Sequence, residues 1–105
     1  MAVVAVLAAL LSGLYGVVTR EPTTPVCRVG VPCTAPYGHS TLVFSRLGVT
    51  RKVTTDTQGA YRVALPAGRW SLRVQDSHFG WRPSTVTVPS ARYAKLNVFV
   101  DTGIR

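Results

Sequence analysis

Residues 55–74 read Thr-Asp-Thr-Gln-Gly-Ala-Tyr-Arg-Val-Ala-Leu-Pro-Ala-Gly-Arg-Trp-Ser-Leu-Arg-Val. Apolar side chains recur at every second position, first as Tyr61, Val63 and Leu65, then as Trp70, Leu72 and Val74. Arg62 and Ala64 alternate with the first set, and Arg69, Ser71 and Arg73 with the second. A period of two marks strands buried on one face and wet on the other. The interruption is Pro66-Ala67-Gly68, with Pro preset for the second position of a turn and Gly at its end. A second turn precedes the first strand, where Asp56 can bond its own backbone and Gly59 tolerates positive φ. The spacing predicts strands over Ala60–Leu65 and Arg69–Asp76, paired antiparallel as a tight hairpin.

The same signals continue in both directions and give seven β-type runs in all. Before the two above come Leu14–Thr19, Ser40–Leu47 and Thr50–Thr55, the last two reversing at Gly48. After them come Ser84–Val88 and Tyr93–Asp101, with Val86 and Val88 facing inward, and Leu96, Val98 and Val100 likewise. Leu42-Val43-Phe44 lacks alternation, as a more central strand does. Residues 23–37 form a Pro-rich loop carrying both cysteines. No repeat, low-complexity tract or helix-period segment follows the N-terminus.

At 105 residues the chain suits one domain. Its 47% hydrophobic and 15% charged residues describe a globular fold. A domain of this size buries roughly 60–65% of its unfolded surface, enough for one modest core. The length excludes an α/β-barrel and an ordinary two-domain enzyme. Two Cys and two His, far apart, exclude a zinc module of the usual spacing, and no metal or cofactor is expected.

Residues 2–11, AVVAVLAALL, are ten consecutive apolar residues, the length of a signal-peptide core and short for a membrane span. No basic residue precedes them, and no clean small-x-small cleavage site follows. A secretory leader over residues 1–12 is the first reading, an uncleaved membrane anchor the second and a structural element the third; the domain then covers 13–105. Cys27 and Cys33, spaced by a segment containing Gly30 and Pro32, are expected to form a disulfide in an oxidising compartment. So short a loop gives only about 2 kcal/mol. Together these features place the protein outside the cytoplasm, secreted or at the cell envelope.

Candidate chemistry is sparse. His39 and His78 sit in loop-like sequence, without a nucleophile elbow or paired carboxylates, so no catalytic residue is assigned and the chain is not read as an enzyme. The loop His78-Phe79-Gly80-Trp81-Arg82-Pro83 offers two rings that either stack on a ligand, with His78 and Arg82 adding polar contacts, or fold back to cap the core. Twelve basic residues against four acidic ones give a net charge of +8. Arg62, Arg69 and Arg73 alternate away from the core, and a hairpin of their two strands makes one positive face. Such a face attracts anionic polymers or anionic lipid. No recognised nucleic-acid motif accompanies it. Partners are accordingly sought among cell-envelope polysaccharides and anionic polymers, and in the membrane through the N-terminal segment.

The run T-D-T-Q-G-A-Y-R-V-A-L-P-A-G-R-W-S-L-R-V resembles the carboxypeptidase regulatory-like domain, a prealbumin-like (transthyretin-like) fold. Gly16-Val17-Val18 resembles that family's opening strand, and Leu96–Val100 its closing one. Pro25–Cys33 and the ending D-T-G-I-R resemble small exported bacterial versions. The resemblance covers nearly all of the chain after the leader. It implies an all-β, seven-stranded antiparallel β-sandwich of Greek-key type, with no catalysis of its own. Related domains accompany enzymes, bind sugars or build surface stalks.

Overall fold

The computed structural model describes residues 12–104 except Thr24, Val31, Pro32 and Asp76. The leader assigned to residues 1–12 therefore lies outside the described residues up to Leu11. Ser12 is buried, and its hydroxyl donates to the Leu65 carbonyl at 2.6 Å, which makes it part of the domain.

The described chain is all-β, with ten strands in two sheets. They are β1 (Gly13–Glu21), β2 (Ala35–Pro36), β3 (Thr41–Arg46), β4 (Val49–Thr54), β5 (Ala60–Ala64), β6 (Gly68–Val74), β7 (Trp81–Arg82), β8 (Thr85–Val88), β9 (Tyr93–Lys95) and β10 (Val98–Asp101). All seven expected runs lie on strands. The count rises to ten because β2 and β7 form in segments expected to be loop, and the last run is interrupted at Leu96-Asn97. Among the described residues no helix is long and apolar enough to cross a membrane.

The first sheet is organised around β1. One of its edges pairs with β5 near Gly13 and with β2 near Thr19, both antiparallel. Its other edge pairs with β9 and β10, both parallel, and β7 closes that side by pairing with β10. Gly13 faces Tyr93 and Val18 faces Val98, so the register runs unbroken across the Leu96-Asn97 gap. There the Leu96 N–H reaches the Tyr15 carbonyl, and the Asn97 Oδ1 accepts from the Val17 N–H at 3.1 Å. The purely antiparallel sandwich expected from the sequence is corrected on this point: the strand that closes the chain runs parallel to the strand that opens it.

The second sheet has the order β4-β3-β6-β8 and is antiparallel throughout. The β3–β4 hairpin forms at Leu47-Gly48 as expected, and the unalternating Leu42-Val43-Phe44 lies on an internal strand, buried. The β5–β6 hairpin does not form. β5 pairs with β1 in one sheet and β6 with β3 and β8 in the other, so Pro66-Ala67-Gly68 is an arch between sheets. The reason lies in the core. Tyr61 and Leu65 on one side of the arch and Trp70 and Leu72 on the other join a single buried cluster with Leu14, Val18, Phe44, Val88 and Val98. An arch lets both apolar faces look at each other, whereas a hairpin lays them side by side on one sheet. The Trp70 indole fixes the arch by donating to the Pro66 carbonyl at 3.0 Å.

Candidate functional site

Two ends of the molecule follow from this topology. At one end meet the entry at Ser12, the β3–β4 turn, the β5–β6 arch and the β8–β9 connection. At the other meet the cysteine loop, the β4–β5 turn, the β6–β7 loop and the C-terminus.

The second end holds the loop that the sequence singles out. Its conformation is set by Ser77, whose hydroxyl donates to the Gly80 carbonyl at 2.9 Å and accepts from the Gly80 N–H at 3.1 Å. This closes a four-residue turn and separates its two rings. Trp81 folds inward, half-buried against the core, and its indole N–H donates to the Leu72 carbonyl at 2.8 Å. Phe79 stays 62% exposed. Its ring rests directly beside Gly103, so closely that a Cβ there would overlap it. The C-terminal segment carrying Gly103 is held in turn by β1, through the Thr102 N–H to the Glu21 carbonyl and the Thr102 hydroxyl to the Pro22 carbonyl.

Phe79 stands between two shallow hollows. One is lined by Arg20, Tyr37, Ser77, His78 and Thr102, the other by Trp81, Arg82, Phe99 and Asp101. His78 is exposed at the rim of the first. Arg82 makes an ion pair with Glu21 at 2.8 Å and lies 5.0 Å from the centre of the Phe99 ring. Its own side chain is 71% exposed, so the pair contributes little to stability and leaves the guanidinium in reach of solvent. Sequence reasoning brings together His78, Phe79, Trp81 and Arg82. It misses Arg20, Tyr37, Phe99 and Thr102, which reach the site through the pairing of β1 with β10 and β2. No local pattern announces that pairing.

The basic residues fall differently. Arg62 belongs to β5 and the first sheet, where its guanidinium lies 4.0 Å from the centre of the Tyr93 ring. Arg69 and Arg73 belong to β6 and the second sheet. The single positive face expected from a β5–β6 hairpin is therefore corrected to charges on two outward faces. On the second, Arg73 and Lys52 flank Val43 in register, and Val43 is only 5% exposed although it points outward. Long basic side chains cover apolar surface with their stems in this way.

Cys27 and Cys33 form a disulfide with Cα atoms 5.5 Å apart. Arg28, Val29 and Gly30 between them are exposed, and the Thr23 N–H donates to the Cys33 carbonyl. Asp56 behaves as a turn residue, accepting from the N–H groups of Gln58 and Ala60. Among the described residues no three of His, Cys, Asp and Glu converge.

The chain matches no known protein-family model, and no curated protein resembles it at a significant level.

Proposed function

We propose that this protein is a non-catalytic β-sandwich module of the cell envelope, exported or tethered by its N-terminal apolar segment, with a structural or interaction role. The observation that carries the reading is the Cys27–Cys33 disulfide, a cross-link that persists in oxidising compartments and is rare in the cytosol. The ten apolar residues of 2–11 point the same way. The prealbumin-like, carboxypeptidase regulatory-like assignment stays part of this proposal; two facing sheets with a single apolar core support it. Fractionation of the producing cells, with thiols alkylated before lysis, tests the reading. The expected result is a fully oxidised chain outside the cytoplasm, and a cytoplasmic chain with two alkylated thiols overturns it.

A second reading, a carbohydrate-binding accessory module, is favoured by one observation: the exposed Phe79 ring between two hollows edged by Arg20, His78 and Arg82. Aromatic faces stack on sugar rings, and the flanking donors match hydroxyl or carboxylate groups. Affinity electrophoresis in gels containing envelope polysaccharides tests it. Retardation of the native chain that Phe79→Ala abolishes is the supporting result; equal mobility of both chains removes it.

A further inference from the structure

The end of the molecule opposite Phe79 carries a second surface. Arg46 and Val49 pair in register and leave Leu47-Gly48 as a two-residue turn. Both turn residues have positive φ, 48° at Leu47 and 81° at Gly48. This is the geometry of a type I′ turn, whose first position favours Asn, Asp or Gly. Leucine is a poor occupant, since a bulky side chain is strained at positive φ. It is also 91% exposed, and Val49 beside it is 42% exposed. Strain and a bare apolar side chain at one residue point to a use for that side chain.

The surroundings narrow the use. Leu47 and Val49 line a groove with Pro66, Trp70, Arg46 and Arg51. The Arg46 guanidinium donates to the Ala67 carbonyl at 2.7 Å, which braces the tip against the arch. Arg51, Arg69 and Arg92 are exposed at the same end. Among the described residues no acid lies there: Glu21, Asp56 and Asp101 all sit at the opposite end. The chain also enters the domain here. Ser12 is fastened to Leu65 by the Leu65 N–H to Ser12 carbonyl bond and the Ser12 hydroxyl, and the apolar residues 2–11 come directly before it.

We propose that this end is a docking surface for an anionic lipid bilayer, with Leu47 entering the headgroup layer and Arg51, Arg69 and Arg92 facing lipid phosphates. The proposal rests on the envelope reading above and names the partner of the tethered form. An apolar tip ringed by cations matches a negatively charged interface, where leucine enters the acyl boundary and arginines meet phosphate. An apolar segment joined at the same end holds the domain in that orientation, while the Phe79 hollows face away from the membrane.

The full chain carrying Leu47→Trp, added to vesicles of phosphatidylcholine alone or mixed equally with phosphatidylglycerol, tests the proposal. The wild-type emission is subtracted from that of the variant, which isolates the indole introduced at the tip. The expected result is a blue-shifted difference emission, quenched by brominated acyl chains, on the phosphatidylglycerol vesicles. The quenching is lost in high salt, which screens surface charge, and in the background Arg51→Gln/Arg69→Gln/Arg92→Gln. A chain that sediments with both vesicle types but keeps solvent-like emission overturns the docking and leaves the envelope module standing. Shielding by a soluble acidic polymer and not by vesicles also overturns it, in favour of a protein or polymer partner. Wild-type hydrogen exchange at residues 46–51 on the same vesicles supplies the readout without substitution, and unchanged exchange there counts against the proposal.

Discussion

Two tight turns lie side by side at one end of this molecule and do opposite things. Leu47-Gly48 returns β3 to its neighbour β4, in register from Arg46 and Val49 down to Thr41 and Thr54. Pro66-Ala67-Gly68 carries β5 out of one sheet and delivers β6 to the other. Both are short, and both contain glycine. What separates them lies beyond the turns. Around the first turn the strands contrast: β3 is buried on both faces along Leu42-Val43-Phe44, while β4 is almost wholly exposed, so it suits the edge of the same sheet. Around the second the strands are equal partners with large side chains on one face each, Tyr61 and Leu65 against Trp70 and Leu72. Two such faces bury more by opposing each other than by lying adjacent. A turn signal fixes a reversal of the chain; the distribution of apolar surface decides whether that reversal is a hairpin or an arch.

The arch breaks most completely at Trp70. Its side chain is 2% exposed and its indole holds the Pro66 carbonyl. Truncating a buried Trp costs about 3–5 kcal/mol, a large share of the roughly 5–15 kcal/mol available to a domain. Trp70→Ala is expected to leave the protein largely unfolded by near-ultraviolet circular dichroism. A melting curve superimposable on the wild type's shows that the arch does not depend on the indole.

The seam between the opening and closing strands is the next target. Gly16 faces the Leu96-Asn97 gap, and a Cβ there would overlap the Leu96 carbonyl oxygen. The two nearest atoms belong to the Leu96 backbone, which no rotamer change relieves. Gly16→Ala is expected to cost about 3 kcal/mol, the upper part of the range for overpacking. Chemical denaturation measures it, and a loss below that of the disulfide shows that the two strands slide apart without penalty.

The disulfide closes a local loop and crosses no sheet. Replacing Cys27 and Cys33 together with Ser is expected to lower stability by about 2 kcal/mol through the greater freedom of the unfolded chain. The hydrogen-exchange pattern of β3, β4, β6 and β8 is expected to stay as it is. Loss of protection in that sheet indicates that the cysteine loop supports more than itself.

The ranking shows which parts are legible in the sequence. Strand positions are, because a period of two is a local property and Tyr61, Trp70, Leu72, Val86 and Val98 all obey it. The reversal between β3 and β4 is, because glycine sits there. The arch is not, for the reason just given. The parallel seam is not, since nothing near Gly16 or Leu96 reports that they meet. The candidate site divides along the same line. His78, Phe79, Trp81 and Arg82 are neighbours in sequence and read as one group. Arg20, Tyr37 and Thr102 arrive through the seam and are invisible to such a reading. The split of Arg62 from Arg69 and Arg73 has the same origin as the missing hairpin, carried from strands to charges.

Tyr61 lies in the core on the other side of the arch from Trp70. Its hydroxyl donates to the Leu96 carbonyl, the oxygen that also faces Gly16. Burial pushes its phenol well above the ordinary value near 10. Folding therefore favours the protonated form. That stability is fully present below about pH 10 and declines as pH rises further, because the unfolded chain loses its proton first. Tyr61→Phe is expected to cost about 1.5 kcal/mol at neutral pH, as the Leu96 carbonyl loses a donor. It is also expected to remove part of the alkaline destabilisation. Urea midpoints measured from pH 8 to 11 report both effects, and parallel profiles for the two proteins show that the phenol titrates alike in the folded and unfolded chains.

The smallest effect has the opposite sign. Leu47 occupies the first position of the β3–β4 turn at positive φ, where a leucine side chain crowds its own backbone and asparagine does not. Its side chain is bare, so replacing it removes little packing. Leu47→Asn is expected to raise stability by about 0.5–1 kcal/mol, visible as a small increase in melting temperature without change in the fold. At the arch no such gain is available, since Pro66 and Gly68 already suit their turn and Gly68 lies directly against the Arg46 guanidinium. A stabilising Leu47→Asn identifies the hairpin tip as a place where this chain gives up folding free energy, and Leu47 as a residue that serves contact with something outside the fold. A destabilising result reverses that conclusion: Leu47 then holds the groove over Pro66 and Trp70 together, and the tip belongs to the core.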